Sequence, residues 1–257
     1  MKIAVISFSG NVGKTTIARH LLAPRISGAK LVSIESINAG DAAEDIIRGR
    51  QFDALQEYLQ VAENVVVDIG ASNVEDLLLL MSRYRGSHQD FDYFVVPTVP
   101  ATKQQQDTIA TLVALARLGV PADAVRLVFN MLEEYSDIGR EFKPLLAFLE
   151  KSPLARPVLA CRLSVNEIYG LVNGAGVELS ALADDTTNFK ALIAATADSA
   201  ERIALARRLA THRLARGVVP ALDACFDALA LAPRPGHQAI EVVHPRPCLI
   251  RPRCARR

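Results

Sequence analysis

Six short apolar runs of strand length, most followed by a longer stretch of helical periodicity, constrain this chain more than any other feature. The runs are KIAVISF at the start, KLVSIES (30–36), NVVVDIG (64–70), FDYFVVPTVP (91–100), VRLVFNM (125–131) and ARPVLAC (155–161). Between them lie a helix from about Lys14 to Leu22, stopped by Pro24, and helical turns in DAAEDIIRG and FDALQEYLQVA. VEDLLLLMSRYR (74–85) follows, apolar almost all round and so expected to pack inside, then KQQQDTIATLVALARLG (103–119), closed by Gly119. Strands separated by helices, several of them wholly apolar, imply a parallel sheet covered on both faces. The prolines of the fourth run fit only a strand end. With 257 residues, half of them hydrophobic, one large α/β domain is expected.

In such sheets ligands sit outside the carboxyl ends of the strands. The candidate polar residues fall there: Ser9 to Thr16, then Glu35, Asp68, Thr98 and Asn130 after successive strands. The first group belongs to SFSGNVGKTT (7–16). Gly10 and Gly13 lack a Cβ and let the backbone approach a bound group closely. Successive N–H groups turned inward, with the positive end of the following helix, make an anion cradle. In that cradle Lys14 reaches β and γ phosphates and the Thr15 hydroxyl ligates Mg²⁺. The strict pattern G-x-x-x-x-G-K-[ST] fails at its first glycine, which is Phe8 here; the strand before and the helix after supply the context.

Asp68 ends VVVD, where an acid on a strand beside a phosphate loop supports the metal. IGASN (69–73) follows it, either a segment that a γ-phosphate orders or a plain turn and helix cap. Glu35 either orients attacking water as a general base or pairs with Lys14, and Asp41 is a second candidate for both tasks. Asn130 either hydrogen-bonds an adenine edge or only turns the chain.

The charge is unevenly spread. From Glu201 onward there are 11 arginines against four acids, on a chain whose net charge is only +1. SAERIALARRLATHRLAR (199–216) reads as a helix with Ile203, Leu205, Leu209 and Leu214 opposite an arginine face. That face either contacts DNA phosphates or an acidic partner, or is simply solvated. A second short helix, VVPALDACFDALAL (218–231), begins at Pro220. The domain therefore spans 1–232, and a Pro/Arg-rich tail, 233–257, reads as disordered or polyproline-like, interrupted by AIEVV. Cys161, Cys225, Cys248 and Cys254 form no C-x-x-C pair, and His244, Cys248 and Cys254 lack a ligand spacing. No signal peptide or membrane span is read, so a reducing cytoplasm is expected and stable membrane association is not.

Taken together these residues resemble the ParA/MinD family of deviant phosphate-loop ATPases, from Met1 to about Ala200. The family loop K-G-G-x-G-K-[ST] aligns with Ser9-Gly10-Asn11-Val12-Gly13-Lys14-Thr15. VVVDIGAS is similar to the family's metal-binding strand, FVVPTVP to its P-T segment, and VFNM to its base-contacting asparagine. RLSVNEIYGLVNGAG (162–176) resembles the segment that closes the nucleotide pocket. The resemblance implies a three-layer phosphate-loop NTPase fold, with ATP and Mg²⁺ as cofactors. It gives phosphate contacts to Gly10, Gly13, Lys14 and Thr16, with Ser9, Asn11 and Val12 completing the loop. Metal binding falls to Thr15 and Asp68, and adenine contact to Asn130. It further implies a switch in plasmid stability or segregation, acting on plasmid DNA through an adaptor, with a nucleotide-dependent homodimer. Two positions depart from the family: its cross-dimer lysine is Ser9, and the acid two residues beyond Glu35 is Ile37. Loss of one such stabilising cation costs roughly 10²–10³ in rate, so slow or partner-stimulated hydrolysis is expected. A small-molecule kinase or ligase and a nucleotide-binding scaffold with little turnover are the competing readings.

Overall fold

The computed structural model describes residues 1–34, 52–172 and 178–232, and the backbone of 45–46. Strands β1 (Lys2–Val5), β2 (Lys30–Ile34), β3 (Asp45–Ile46), β4 (Val65–Ile69), β5 (Tyr93–Thr98), β6 (Val125–Leu132) and β7 (Arg162–Ser164) form one sheet. Its order is β3-β2-β4-β1-β5-β6-β7, six strands with a two-residue seventh at one edge, and every pairing is parallel. The chain builds one side of β1 first and then the other. β1 therefore lies where the winding reverses, the position at which parallel sheets open a crevice.

Strand alternation divides the core in two. Ala4, Ile6, Val65, Val67, Phe94, Val96, Leu127 and Phe129 face one apolar cluster; Ile3, Val5, Val66, Val95 and Val128 face the other. Helices α2 (Phe52–Val61), α3 (Val74–Arg83), α4 (Thr102–Arg117) and the pair α5 (Ile138–Glu141) and α6 (Lys143–Lys151) contribute to the first cluster. The second cluster takes α1 (Lys14–Thr16), which continues as a wider π turn over Ile17–Leu22, with α7 (Ile168–Val172) and α8 (Leu179–Ala183). The short α9 (Phe189–Ala195) and the long α10 (Ser199–Leu229) follow on that side. This is the expected three-layer α/β architecture.

Several elements differ from the sequence reading. The run 155–161 forms no strand: Pro157 offers no N–H, and Cys161 N turns back to Val158 O at 2.9 Å. Pairing with β6 begins only at its end, where Cys161 O accepts from Phe129 N, and β7 follows at Arg162. Residues 45–46, expected to be helical, pair instead with the free edge of β2. α3 is not buried all round. Val74, Leu77, Leu78 and Met81 face the core while Leu79 is half exposed, because one side of the helix has a sheet to cover and the other has none.

The two expected C-terminal helices are one. α10 runs unbroken through Pro220, with Asp198 accepting from Glu201 N at its start. Ala215, Val218, Leu222, Cys225 and Leu229 recur at three- and four-residue spacing on both sides of the proline and are buried together. Packing along that stripe outweighs the roughly 3 kcal/mol that an interior proline costs. The stripe replaces the expected apolar face, of which Ile203 is 55% exposed. Glu35, Asp41, the Ile37 departure, the end of the pocket-closing segment (173–176), and the tail with His244, Cys248 and Cys254 lie outside the described residues.

Candidate nucleotide site

The loop after β1 is shaped by two left-handed residues, Asn11 at φ 53° and Gly13 at φ 84°. Only glycine fits the second. A Cβ there would collide with the side-chain amide of Asn130. α1 starts directly after Gly13 without any side-chain cap, so its first N–H groups are left for a ligand or solvent. Left-handed turns feeding an uncapped helix start are the backbone geometry from which anion nests are made.

The sheet fixes this loop from three sides. Asn130, buried at the end of β6, donates from Nδ2 to Val12 O at 2.8 Å. Phe8 N donates to Thr111 Oγ1 on α4 at 3.1 Å. The Phe8 ring packs on the first core cluster, which accounts for an aromatic residue where the strict motif has glycine. Ser7 Oγ accepts from Ser9 N at 3.2 Å. Val12 is wholly buried and Ser9 is 5% exposed, so their side chains anchor the loop and leave only backbone to face a ligand. Gly10 stands in the open, with room for a group against it.

Lys14 is 8% exposed, and its Nζ donates to Ser9 O at 2.7 Å and Ser7 O at 3.4 Å. Burial lowers its pKa from the ordinary lysine value, and the Asp68 carboxylate opposes that shift. A partly desolvated ammonium held by two neutral carbonyls gains more from an added polyanion than a solvated one does. Asp68 pairs in register with Val5, so it sits beside the loop's root. Its Oδ2 accepts from Thr15 Oγ1 at 2.6 Å. Two hard oxygen donors meet here, a hydroxyl and a carboxylate, within reach of the loop; this donor set suits Mg²⁺. Thr16 is half-buried one residue further along α1.

The surrounding residues were less visible in the sequence. Thr98 closes β5, and its hydroxyl lies 3.0 Å from that of Thr108; Thr108 gives its single proton to Gln104 O and so accepts from Thr98. Gln105, Thr108 and Thr111 are buried polar residues on the inner side of α4. Polar side chains spaced three apart on the core face of an amphipathic helix were the signal that could have exposed Thr111 as a loop tether. In the segment after Asp68, Gly70 N and Asn73 Nδ2 both donate to Ile34 O, at 2.8 and 3.1 Å. IGASN is therefore tied to the end of β2 as a turn leading into α3. Among the described residues no group of three His, Cys, Asp or Glu side chains is placed to hold a metal. No helix among them is long and apolar enough to cross a membrane.

No protein-family model matches the sequence. No curated protein matches it either. Among solved structures, apo McdA from Cyanothece is similar at a TM-score of 0.47 and 16% identity, covering 70% of this chain and 92% of that one. An ATP complex of a Cyanothece McdA variant gives 0.42 and 16%, covering 87% and 96%. A Borrelia burgdorferi B31 protein described as a plasmid partition protein, bound to AMPPNP, gives 0.38 and 13%, covering 64% and 86%. At these scores the likeness assigns nothing to this chain, and the site stands on its own residues.

Proposed function

We propose that the chain is a ParA/MinD-like ATPase switch that binds ATP with Mg²⁺ at the loop Ser9–Thr16. The observation that carries this reading is the conjunction at one strand end. A left-handed glycine loop is braced from β6 and α4, a desolvated Lys14 lies inside it, and Thr15 is paired with Asp68 at 2.6 Å. Lys14 and the N–H groups of Gly10 to Thr16 would bind and orient the phosphates. Thr15 and Asp68 would hold the cation, which when bound neutralises charge on the β and γ oxygens. Asn130 has its amide nitrogen committed to Val12. In this reading it positions the loop and has its carbonyl oxygen left for an adenine amino group. Glu35 is retained as the residue that orients water.

The biological role that fits is plasmid stability or segregation, with plasmid DNA reached through an adaptor protein and a homodimer formed in one nucleotide state. The opening KIAVISFSGNVGKTT is similar to that of the plasmid stability protein StbB, which favours this role over a metabolic kinase or ligase. A second reading has one specific observation behind it. Ser9, at the position of the family's cross-dimer lysine, has an uncharged hydroxyl that is buried besides, so it supplies no cation to a partner's γ-phosphate. That favours a nucleotide-binding scaffold with little turnover of its own.

Phosphate release measured alone, with plasmid DNA, and with the adaptor, for the native protein and Lys14→Ala, separates the two. The switch reading expects turnover that rises at least tenfold with DNA or adaptor and vanishes in Lys14→Ala. Binding without turnover in every mixture supports the scaffold. Stimulation by a small metabolite, with indifference to DNA and adaptor, overturns both.

A further inference from the structure

At the end of the sheet opposite the glycine loop, a cleft of about 840 Å³ opens between the start of β6, the end of α6, residues 153–159 and the end of α10. Leu146, Leu149, Pro157, Val158, Leu159 and Leu229 make its walls apolar, and Leu159 is 48% exposed. Its size is that of sites which take a drug-sized molecule or a few side chains of a peptide. Concave apolar surface of this extent favours an occupant, because covering it releases water.

The chain itself leads to the occupant. α10 stops at Ala230, a left-handed residue on the cleft wall. Two residues later the Tyr93 hydroxyl donates to Ala232 O at 2.9 Å and accepts from Ala232 N at 3.2 Å. Arg126 stacks on the Tyr93 ring at 4.7 Å and donates to Leu229 O at 2.8 Å, and it lines the same cleft. The last described residue is thus pinned beside the cleft. Twenty-five residues follow it.

That segment is Pro- and Arg-rich except for the island Ala239–Val243, apolar at every position but Glu241. From Ala232 to Ile240 an extended chain spans up to about 27 Å, at roughly 3.3–3.6 Å per residue, which covers the breadth of such a cleft. A tether this short holds the island at an effective concentration near millimolar, so a modest apolar contact suffices for occupancy. The cleft's two carboxylates, Asp123 and Glu150, are balanced by two guanidiniums, Arg126 and Arg156, so its apolar walls and the short tether, not net charge, select the occupant. We propose that the island 239–243 docks in cis into this cleft, with Ile240 and Val242 against Leu159 and Leu149.

Disulfide trapping in the full chain tests this. The variant carries Leu159→Cys and Val242→Cys, with Cys248→Ser and Cys254→Ser to remove competing tail thiols. Cys161 and Cys225 are buried, their thiols pushed up to about 11 and about 12, so they stay silent under mild oxidation. The control places the partner thiol at Val61 on α2, which is 81% exposed and is not among the residues that line the cleft. The expected result is a bond between positions 159 and 242 within one chain, formed at least ten times faster than that between 61 and 242. Equal rates overturn the proposal, and so does a product that is mainly cross-linked between two chains, since a second copy would then fill the cleft. Hydrogen exchange gives an independent readout that leaves the cleft unaltered. Ile240→Asp with Val242→Asp is expected to speed amide exchange in residues 146–151 and 158–160 at least fivefold. Exchange indistinguishable from the native chain overturns the proposal.

Discussion

Replacing Gly13 by alanine tests the loop's architecture through two separate costs. Gly13 is at φ 84°, a conformation that costs an L-residue about 1–2 kcal/mol. The new Cβ also collides with Asn130 Nδ2, which must leave Val12 O. Losing a buried hydrogen bond of this kind costs about 1–3 kcal/mol. Gly13→Ala is therefore expected to destabilise the fold by about 2–5 kcal/mol, the total of those ranges. Asn130→Ala alone forfeits the hydrogen bond, about 1–3 kcal/mol. In the double variant the collision is gone and the bond can be lost only once, so the combined loss falls short of the sum of the singles by about 1–3 kcal/mol. Urea unfolding of the four proteins measures this coupling directly. Strict additivity would refute the contact, because residues that do not touch have no shared interaction to lose twice.

Other consequences can be read independently. Asp68→Asn keeps the shape of the pair with Thr15 but removes the charge, so Mg²⁺ is expected to improve ATP affinity about 10–100-fold less than in the native chain, as titrations with and without the metal would show. His20 is buried on the π turn, where desolvation first and Arg19 second lower its pKa from 6.5 to about 4. The unfolded chain then binds the extra proton across that interval, so stability is intact above pH 6.5 and is lost as pH falls toward 4. The loss amounts to about 3 kcal/mol at most, and His20→Gln should flatten that part of a stability–pH profile. Pro220 is exposed inside α10, so Pro220→Ala is expected to raise stability by about 1–3 kcal/mol and the melting temperature with it. A lower melting temperature would mean that the proline's shape is needed there.

The sheet was readable because apolar, β-branched runs such as VVV (65–67) leave little room for another assignment, and because each is set off by turn residues. The loop was readable because Gly13, Lys14 and Thr15 have few other reasons to stand together after a strand. What escaped the sequence depended on tertiary partners. α10 looks broken at Pro220 until the buried stripe from Ala215 to Leu229 is seen to have one continuous surface to cover. ARPVLAC has strand composition, yet the edge of β6 is reached only at Cys161 and Arg162, after two prolines have bent the chain. α3 appeared apolar all round because four successive leucines hide which side has a neighbour; Glu75, Asp76, Ser82 and Arg83 mark the exposed side in retrospect. At the site, the carboxylate beside Thr15 was legible from strand order, whereas the Thr111 tether and the commitment of Asn130 to Val12 were not. Both are hydrogen bonds across more than a hundred residues of sequence, and no local pattern encodes them.

Calorimetric titration of ATP into the native protein and into Lys14→Ala, each with and without Mg²⁺, addresses the central claim most directly. The expected result is one site per chain that tightens with the metal and weakens at least a hundredfold in the variant. A folded native protein that takes up no nucleotide at saturating Mg²⁺, or one that binds equally well without the lysine, would contradict the assignment of this loop.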